Sequence, residues 1–396
     1  MSNTQKKNVP ELRFPGFEGE YSLDIFGNLA TNKSDKFNPQ NENASIDIEL
    51  DCIEQNTGRL IKIYNSKEFS SQKNKFNPQN VLYGKLRPYL NKYYFTKKSG
   101  VCSSEIWVLK STKEDKLLNL FLYYFIQTKR YSDVASKSAG SKMPRADWGL
   151  IENIRVYFPE LCEQQKIGEF FSKLDRQIEL EEQKLELLQQ QKKGYMQKIF
   201  SQELRFKDEN GNDYPEWVVK LIGDIGKVAM NKRIYKHETS ANEEIPFYKI
   251  GNFGKKADTF ISREQFNEYK EKYPYPKKGD ILISASGSIG KTIEYKGEEA
   301  YYQDSNIVWL DHNEEVLNVF LKYFYILVKW NGVEGTTIKR LYNKNILNTK
   351  IDLPTISEQQ KISDFFCYID NLIEIQEQKL EFLKRRKQSL LQKMFV

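Results

Sequence analysis

Histidine is almost missing from this chain: His237 and His312 are the only two in 396 residues, too few for a histidine-rich zinc or di-metal centre. The four cysteines, Cys52, Cys102, Cys162 and Cys367, are scattered with neither metal-ligand nor disulfide-framework spacing, and read as reduced. No apolar run approaches the roughly 20 residues needed to cross a bilayer, and the polar N-terminal stretch has no apolar signal segment. A cytoplasmic protein with no membrane partner is predicted. Intact catalytic motifs are lacking as well. Residues 286–292, Ser-Gly-Ser-Ile-Gly-Lys-Thr, imitate a phosphate-binding loop, but Ala285 stands where its first glycine belongs and no Walker-B strand is evident. Residues 37–41 and 76–80, both Phe-Asn-Pro-Gln-Asn, approach the Asn-Pro-Pro-aromatic motif of adenine methyltransferases. Gln40 and Gln79 replace its second proline and Asn41 and Asn80 its aromatic, so both copies read as Asn-Pro turns.

What the chain does contain is a repeat. Residues 159–200 return as residues 354–395 without a gap. Glu163-Gln164-Gln165-Lys166-Ile167 recurs as Glu358-Gln359-Gln360-Lys361-Ile362, and Phe170, Phe171 and Asp175 recur as Phe365, Phe366 and Asp370. Each copy reads as one amphipathic helix with an apolar seam at spacings of three and four: Phe171, Leu174, Ile178, Leu185, Leu188, Tyr195 and Ile199 in the first copy. Polar residues interrupt the seam at the same places, Glu181 and Lys192 in one copy, Gln376 and Lys387 in the other, and such residues fix register in coiled coils. A helix over residues 163–200 would be about 55 Å long. The two are predicted to pair with each other inside the chain, their starts marked by Pro159 and Pro354, with Ser357 as a cap.

A looser repeat links the segments ahead of these helices. Leu12-Arg13-Phe14 recurs as Leu204-Arg205-Phe206, and the short apolar helix at residues 118–125 as the one at 317–324. Strand-like runs at residues 81–83 and 106–109 match runs at 281–283 and 307–310. The predicted class is α+β: two related mixed α/β domains, residues 1–158 and 204–353, separated by two long helices, residues 159–203 and 354–396. The helices are expected to form an antiparallel coiled coil with pseudo-two-fold symmetry.

The formal net charge is +7, and Lys85, Arg87, Tyr89, Lys92, Tyr93 and Tyr94 interleave cations with aromatics. That mixture suits nucleic acid, and equally suits a strand edge guarded by lysines.

The ordered motifs carry a resemblance. Gly279-Asp280-Ile281-Leu282-Ile283, Ser286-Gly287-Ser288-Ile289-Gly290-Lys291, Gln303, Asn306-Ile307, Gly335-Thr336, Pro354 and Glu358-Gln359-Gln360-Lys361-Ile362 follow one another in the second half. Asn80-Val81-Leu82, Gly84-Lys85-Leu86, Ser104-Glu105-Ile106 and Gly140-Ser141 follow the same order in the first. Over essentially its whole length the chain resembles the specificity (S) subunits of Type I restriction-modification systems. The resemblance implies two target-recognition domains, each reading one half of a split double-stranded DNA target. It implies a non-catalytic chain without metal or cofactor. The expected partners are two modification subunits, which bring S-adenosylmethionine and methylate adenine, and restriction/translocase subunits, which bring ATP and magnesium. The candidate DNA contacts are Lys85, Arg87, Ser141, Lys142 and Arg145 in the first half, and Ser286, Ser288, Lys291, Thr336, Lys339 and Arg340 in the second. Each is open to a phosphate-holding, base-reading or purely structural role. Two competing readings of the chain are a freestanding DNA methyltransferase or nuclease with an unrecognised active site, and a structural adaptor held by its coiled coil.

Overall fold

The computed structural model describes residues 8–43, 45–137, 142–330 and 340–396. It divides into two compact units, Met1–Lys184 with Gln376–Val396, and Leu185–Ile375. Each unit therefore takes a segment from both of two long helices, the central helix Leu161–Phe200 and the C-terminal helix Ile356–Met394.

The first unit is built on a four-stranded antiparallel sheet in the order Ala30–Thr31, Ile106–Ser111, Val81–Gly84, Tyr93–Phe95. Its two central strands are apolar runs because both faces are covered. Val81, Tyr83, Trp107 and Leu109 point into a core shared with helix Asn119–Phe125 and the central helix, while Leu82, Ile106 and Val108 point into a second core with Ile48, Cys52 and Phe76. The alternation follows from the two-residue period of a strand. Beyond the second core lies a five-stranded sheet, ordered Lys36–Phe37, Lys73–Phe76, Gly100–Cys102, Ile46–Ile48, Tyr64–Asn65.

The second unit repeats this plan. Its four-stranded sheet runs Gly226–Ala229, Ile307–His312, Ile281–Ser284, Thr292–Glu294. Ile281, Ile283, Val308 and Leu310 face one core and Leu282, Ile307 and Trp309 the other. The second sheet differs: only three strands, Phe260–Ile261, Ile245–Tyr248 and Tyr301–Tyr302, remain, backed by helix Arg263–Lys272. The fold is thus α+β, as expected, with two units whose four-stranded sheets share one topology.

The repeated Glu-Gln-Gln motif has a structural cause. Gln164 and Gln359 are fully buried at the helix starts. The Gln164 Oε1 accepts from the Leu118 amide at 2.9 Å, and its Nε2 donates to the carbonyls of Lys116 and Pro159 at 2.7 and 2.8 Å. Gln359 makes the same three bonds, with Leu317, Glu315 and Pro354, at 2.8, 2.9 and 2.9 Å. Beside each glutamine a buried glutamate binds the arginine of the repeated Leu-Arg-Phe: Arg13 Nη2 to Glu163 at 2.7 Å, Arg205 Nη2 to Glu358 at 2.9 Å. The central and C-terminal helices are thereby locked to the sheets they follow in sequence.

Within each unit the two helix segments run antiparallel. In the first, Lys387 Nζ lies 2.6 Å from Asp175, and Gln376 Nε2 donates to the Glu181 carboxylate at 2.7 Å and to its carbonyl at 3.0 Å. In the second, Lys192 Nζ lies 2.5 Å from Asp370 and the Tyr195 ring meets Phe365 at 5.3 Å. Glu181 and Gln376 come together as a seam pair. Lys192 and Lys387 each bind the aspartate of the opposite helix, which also accepts from a tyrosine, Tyr323 at 2.9 Å or Tyr124 at 3.0 Å. The charge at the seam is therefore neutralised locally. One helix start departs from expectation: Thr355, not Ser357, caps the C-terminal helix, its hydroxyl 3.4 Å from the Glu358 amide, because the helix begins at Ile356.

Replacing a buried glutamine leaves one amide and two carbonyls without partners, at about 1–3 kcal/mol for a buried group left unpaired. Gln164→Ala and Gln359→Ala are each expected to lower stability by about 2–3 kcal/mol in urea unfolding. Gln165→Ala, whose exposed side chain bonds Glu169 on the helix surface, is expected to change it by less than about 0.5 kcal/mol.

Candidate nucleic-acid interface

At one end of each four-stranded sheet, a central strand runs into a polar loop, and a distant segment pairs back onto that loop. In the first unit Lys85 donates its amide to the Glu105 carbonyl at 3.0 Å, Ala146 donates to the Lys85 carbonyl at 2.8 Å, and Leu86 bridges Arg145. In the second, Ala285 donates to Asn306 at 2.7 Å, Leu341 to Ala285 at 2.8 Å, and Ser286 bridges Arg340. The loop after Val81–Gly84 and the segment ahead of the central helix thus bring Lys85, Arg87 and Arg145 together. In the second unit the same construction joins Ser286, Ser288, Lys291 and Arg340. Lys142 is exposed just before Pro144, whose carbonyl accepts from the Arg87 amide at 2.7 Å. Ser141, Thr336 and Lys339 lie outside the described residues.

The side chains differ in availability. Arg145 is exposed and forked onto Glu105, with Nε and Nη2 at 3.0 and 3.1 Å from its carboxylate. That carboxylate holds the arginine above its ordinary pKa, so it stays a cation at every accessible pH. Arg340 donates from Nη2 to the Ser305 carbonyl at 2.9 Å and lies 5.7 Å from the centre of the Tyr342 ring. Arg87 is exposed and left-handed at φ 51°, where the equivalent residue of the second unit is Gly287 at φ 66°. For a residue with a Cβ that conformation costs roughly 1–2 kcal/mol, so the first unit spends stability on an arginine where glycine would be unstrained.

Ser286 and Lys291 are committed to the loop itself. The buried Ser286 hydroxyl donates to Asn306 Oδ1 at 2.8 Å, and Lys291 Nζ donates to the Phe253 carbonyl at 2.7 Å. The Ser288 carbonyl accepts from the Ser284 hydroxyl and from the Lys291 amide. The counterpart of Lys291 in the first unit is Lys92, whose Nζ donates to the Leu50 carbonyl at 2.6 Å. The amides of Gly84 and Ser284 donate to the carbonyls of Lys92 and Lys291, each at 2.8 Å, which fixes the equivalence. The first loop is one residue longer. Sequence reasoning also passed over Arg233, which binds Asp304 at 2.8 Å and, with Met230, Ser305, Arg340 and Tyr342, lines an open cleft of about 660 Å³.

The loop that imitates a phosphate cradle leads into strand Thr292–Glu294, not into a helix, so it lacks the helix N-terminus such a cradle needs. Both Phe-Asn-Pro-Gln-Asn copies are turns, closed by Asn41 onto Asn38 and Asn80 onto Asn77 at 3.1 and 3.2 Å. Among the described residues no group of three or more His, Cys, Asp and Glu is placed to hold a metal ion, and no helix is long and apolar enough to cross a membrane.

Comparison with known proteins agrees with this doubled construction. The family model described as the Type I restriction modification DNA specificity domain matches twice, over residues 20–190 and 214–385. A candidate type I restriction enzyme specificity subunit of Haemophilus influenzae is 42% identical over 261 residues, which span 63% of this chain and 63% of that relative's length. The type I restriction enzyme MjaVIII specificity subunit of Methanocaldococcus jannaschii is 27% identical over 321 residues, 75% of this chain and 74% of its own. The solved type I restriction-modification system S subunit from M. genitalium shares the fold at 17% identity with a TM-score of 0.56, covering 98% of this chain and 99% of that one. A chain from a structure of type I R-M system assembly and conformational transition does so at 17% identity and a TM-score of 0.60, covering 94% and 97%.

The lysines and Arg87 are separable by stability. Lys92→Met and Lys291→Met each remove a bond that ties the loop to a neighbouring turn, and are expected to cost about 1–2 kcal/mol in urea unfolding. Arg87→Gly removes strain and no observed side-chain bond, and is expected to cost nothing; a loss equal to that of the lysines would make Arg87 a structural residue.

Proposed function

The chain belongs to the Type I restriction-modification DNA specificity family, and from that membership we propose that it reads a gapped, two-part double-stranded DNA target, one half-site per unit. The observation that carries the reading is one frame with two different surfaces. The loop, its backbone pairing and the arginine position recur in both units, whereas Lys85, Leu86 and Glu105 of the first stand where Ala285, Ser286 and Asn306 stand in the second. A repeated frame that exposes unlike residues, Arg87 in the first loop and Gly287 and Ser288 in the second, suits two half-sites with different letters. Lysines and arginines on phosphates would set the register of each unit, and side chains on base edges would choose the sequence. The net charge of +7 favours approach to DNA in the cytoplasm.

On this reading residues 1–158 and 204–353 are the recognition domains, and the helices of residues 159–203 and 354–396 set the distance between them. The chain contributes recognition and no catalysis. Two modification subunits would bind S-adenosylmethionine and methylate adenine in the chosen sites, and restriction/translocase subunits would supply ATP- and magnesium-dependent translocation and cleavage. Two similar readers facing half-sites about one helical turn apart would span roughly 34 Å.

Expression of the chain with its methyltransferase partner, followed by genome-wide mapping of modified adenine, tests the proposal. A motif with two specified parts and an unspecified gap is expected; an uninterrupted motif, or adenine methylation by the pure chain alone, would contradict it. Removing one turn, about 5.4 Å, from both helices is expected to change the gap by one or two base pairs. An unchanged gap would refute the helices as its ruler.

A further inference from the structure

We propose that Arg145 and Arg340 are the equivalent base-reading groups of the two units, each taking a guanine edge in the major groove, and that Glu105 is the positioning residue for Arg145. The inference rests on the two-part reading above and assigns one contact within each half. The backbone places the arginines alike: each bridges the second residue beyond the central strand, Leu86 or Ser286, and each precedes a residue whose amide donates to the loop.

What differs is how the guanidinium is held. A guanidinium is flat, with two forked edges. Arg145 commits its Nε–Nη2 side to Glu105, which fixes the plane and leaves Nη1 and the second Nη2 hydrogen directed away from the carboxylate. That remaining edge matches O6 and N7 of guanine, the commonest specific contact of arginine with DNA. The Arg145 side chain is 48% exposed, within reach of a duplex, and an ion pair this exposed contributes little to stability. Its worth lies in aim.

In the second unit the position of Glu105 carries no carboxylate. Asn306 replaces Glu105, and its Oδ1 is occupied by the Ser286 hydroxyl at 2.8 Å. The acceptor comes from the main chain instead: Ser305, left-handed at φ 53°, offers its carbonyl to Arg340 Nη2 at 2.9 Å. Tyr342 flanks the same guanidinium, which lies on the wall of the 660 Å³ cleft. Two unrelated supports hold a guanidinium carried at one backbone position, which points to the guanidinium, rather than either support, as the group that makes the contact.

The test maps modified adenines genome-wide for the full chain expressed with its methyltransferase partner, as wild type, E105Q, R145K and R340K. Lysine keeps the charge and loses the fork. R145K is expected to lower preference for guanine at one position of one half-site by about tenfold or more, and R340K to do so in the other half. E105Q is expected to relax the same position as R145K, with the other half-site and the gap unchanged, a pattern that a merely structural ion pair would not produce. An unaltered motif with methylation reduced evenly over all sites in R145K and R340K would make both arginines phosphate contacts and overturn the proposal. A wild-type motif in E105Q alongside an altered one in R145K would overturn the role of Glu105. A wild-type motif without a gap would instead refute the two-part reading itself, so the two failures are told apart before any variant is compared.

Discussion

The buried glutamine at the start of each long helix is the contact on which the rest of the structure depends. Gln164 and Gln359 each satisfy two main-chain carbonyls and one amide that would otherwise be stranded between a helix start and the turn ahead of a short helix. Because such groups cost about 1–3 kcal/mol each when unpaired, no other side chain of that length and dual hydrogen-bonding character fits. The adjacent Glu163 and Glu358 are buried as well, and the repeated arginines Arg13 and Arg205 compensate them. A rigid join between helix and sheet follows, and the arginine-bearing segments pair onto the loops at the other end of the same sheets, after Val81–Gly84 and Ile281–Ser284.

Much of this was legible in the chain, for identifiable reasons. The long helices announced themselves because their seam period is sustained and their docking residues are duplicated with constant spacing. The central strands were legible because both faces are buried, which gives uninterrupted β-branched and aromatic runs. The second sheets were not. Strands as short as Lys36–Phe37 and Tyr64–Asn65 carry no period of their own and exist through pairing with distant segments. Nor did the sequence reveal that the corresponding sheet of the second unit has three strands and is backed by helix Arg263–Lys272.

The candidate interface was legible in composition but not in pairing. The first loop stood out by its cations and tyrosine and the second by its glycines, serines and lysine, yet Arg145 joins Leu86 and Arg340 joins Ser286 only through backbone pairing across about 55–60 residues of chain. Similarity of motif also obscured roles. Lys291 seemed the natural contact of its loop, while the structure spends its ammonium on the Phe253 carbonyl, as it spends that of its counterpart Lys92 on the Leu50 carbonyl. Such a distinction depends on where a long side chain ends, which spacing does not encode. Lys192 and Lys387 teach the same lesson at the seam, where each is matched by an aspartate on the facing helix.

The central claim is that two units of one construction each read their own part of a DNA target. Hydroxyl-radical footprinting of the assembled complex on a duplex carrying the methylated motif tests it most directly. Two protected stretches about one helical turn apart are predicted, with mutation of one half-site erasing protection at that stretch first. A single continuous footprint that responds as a whole to either change would contradict the account.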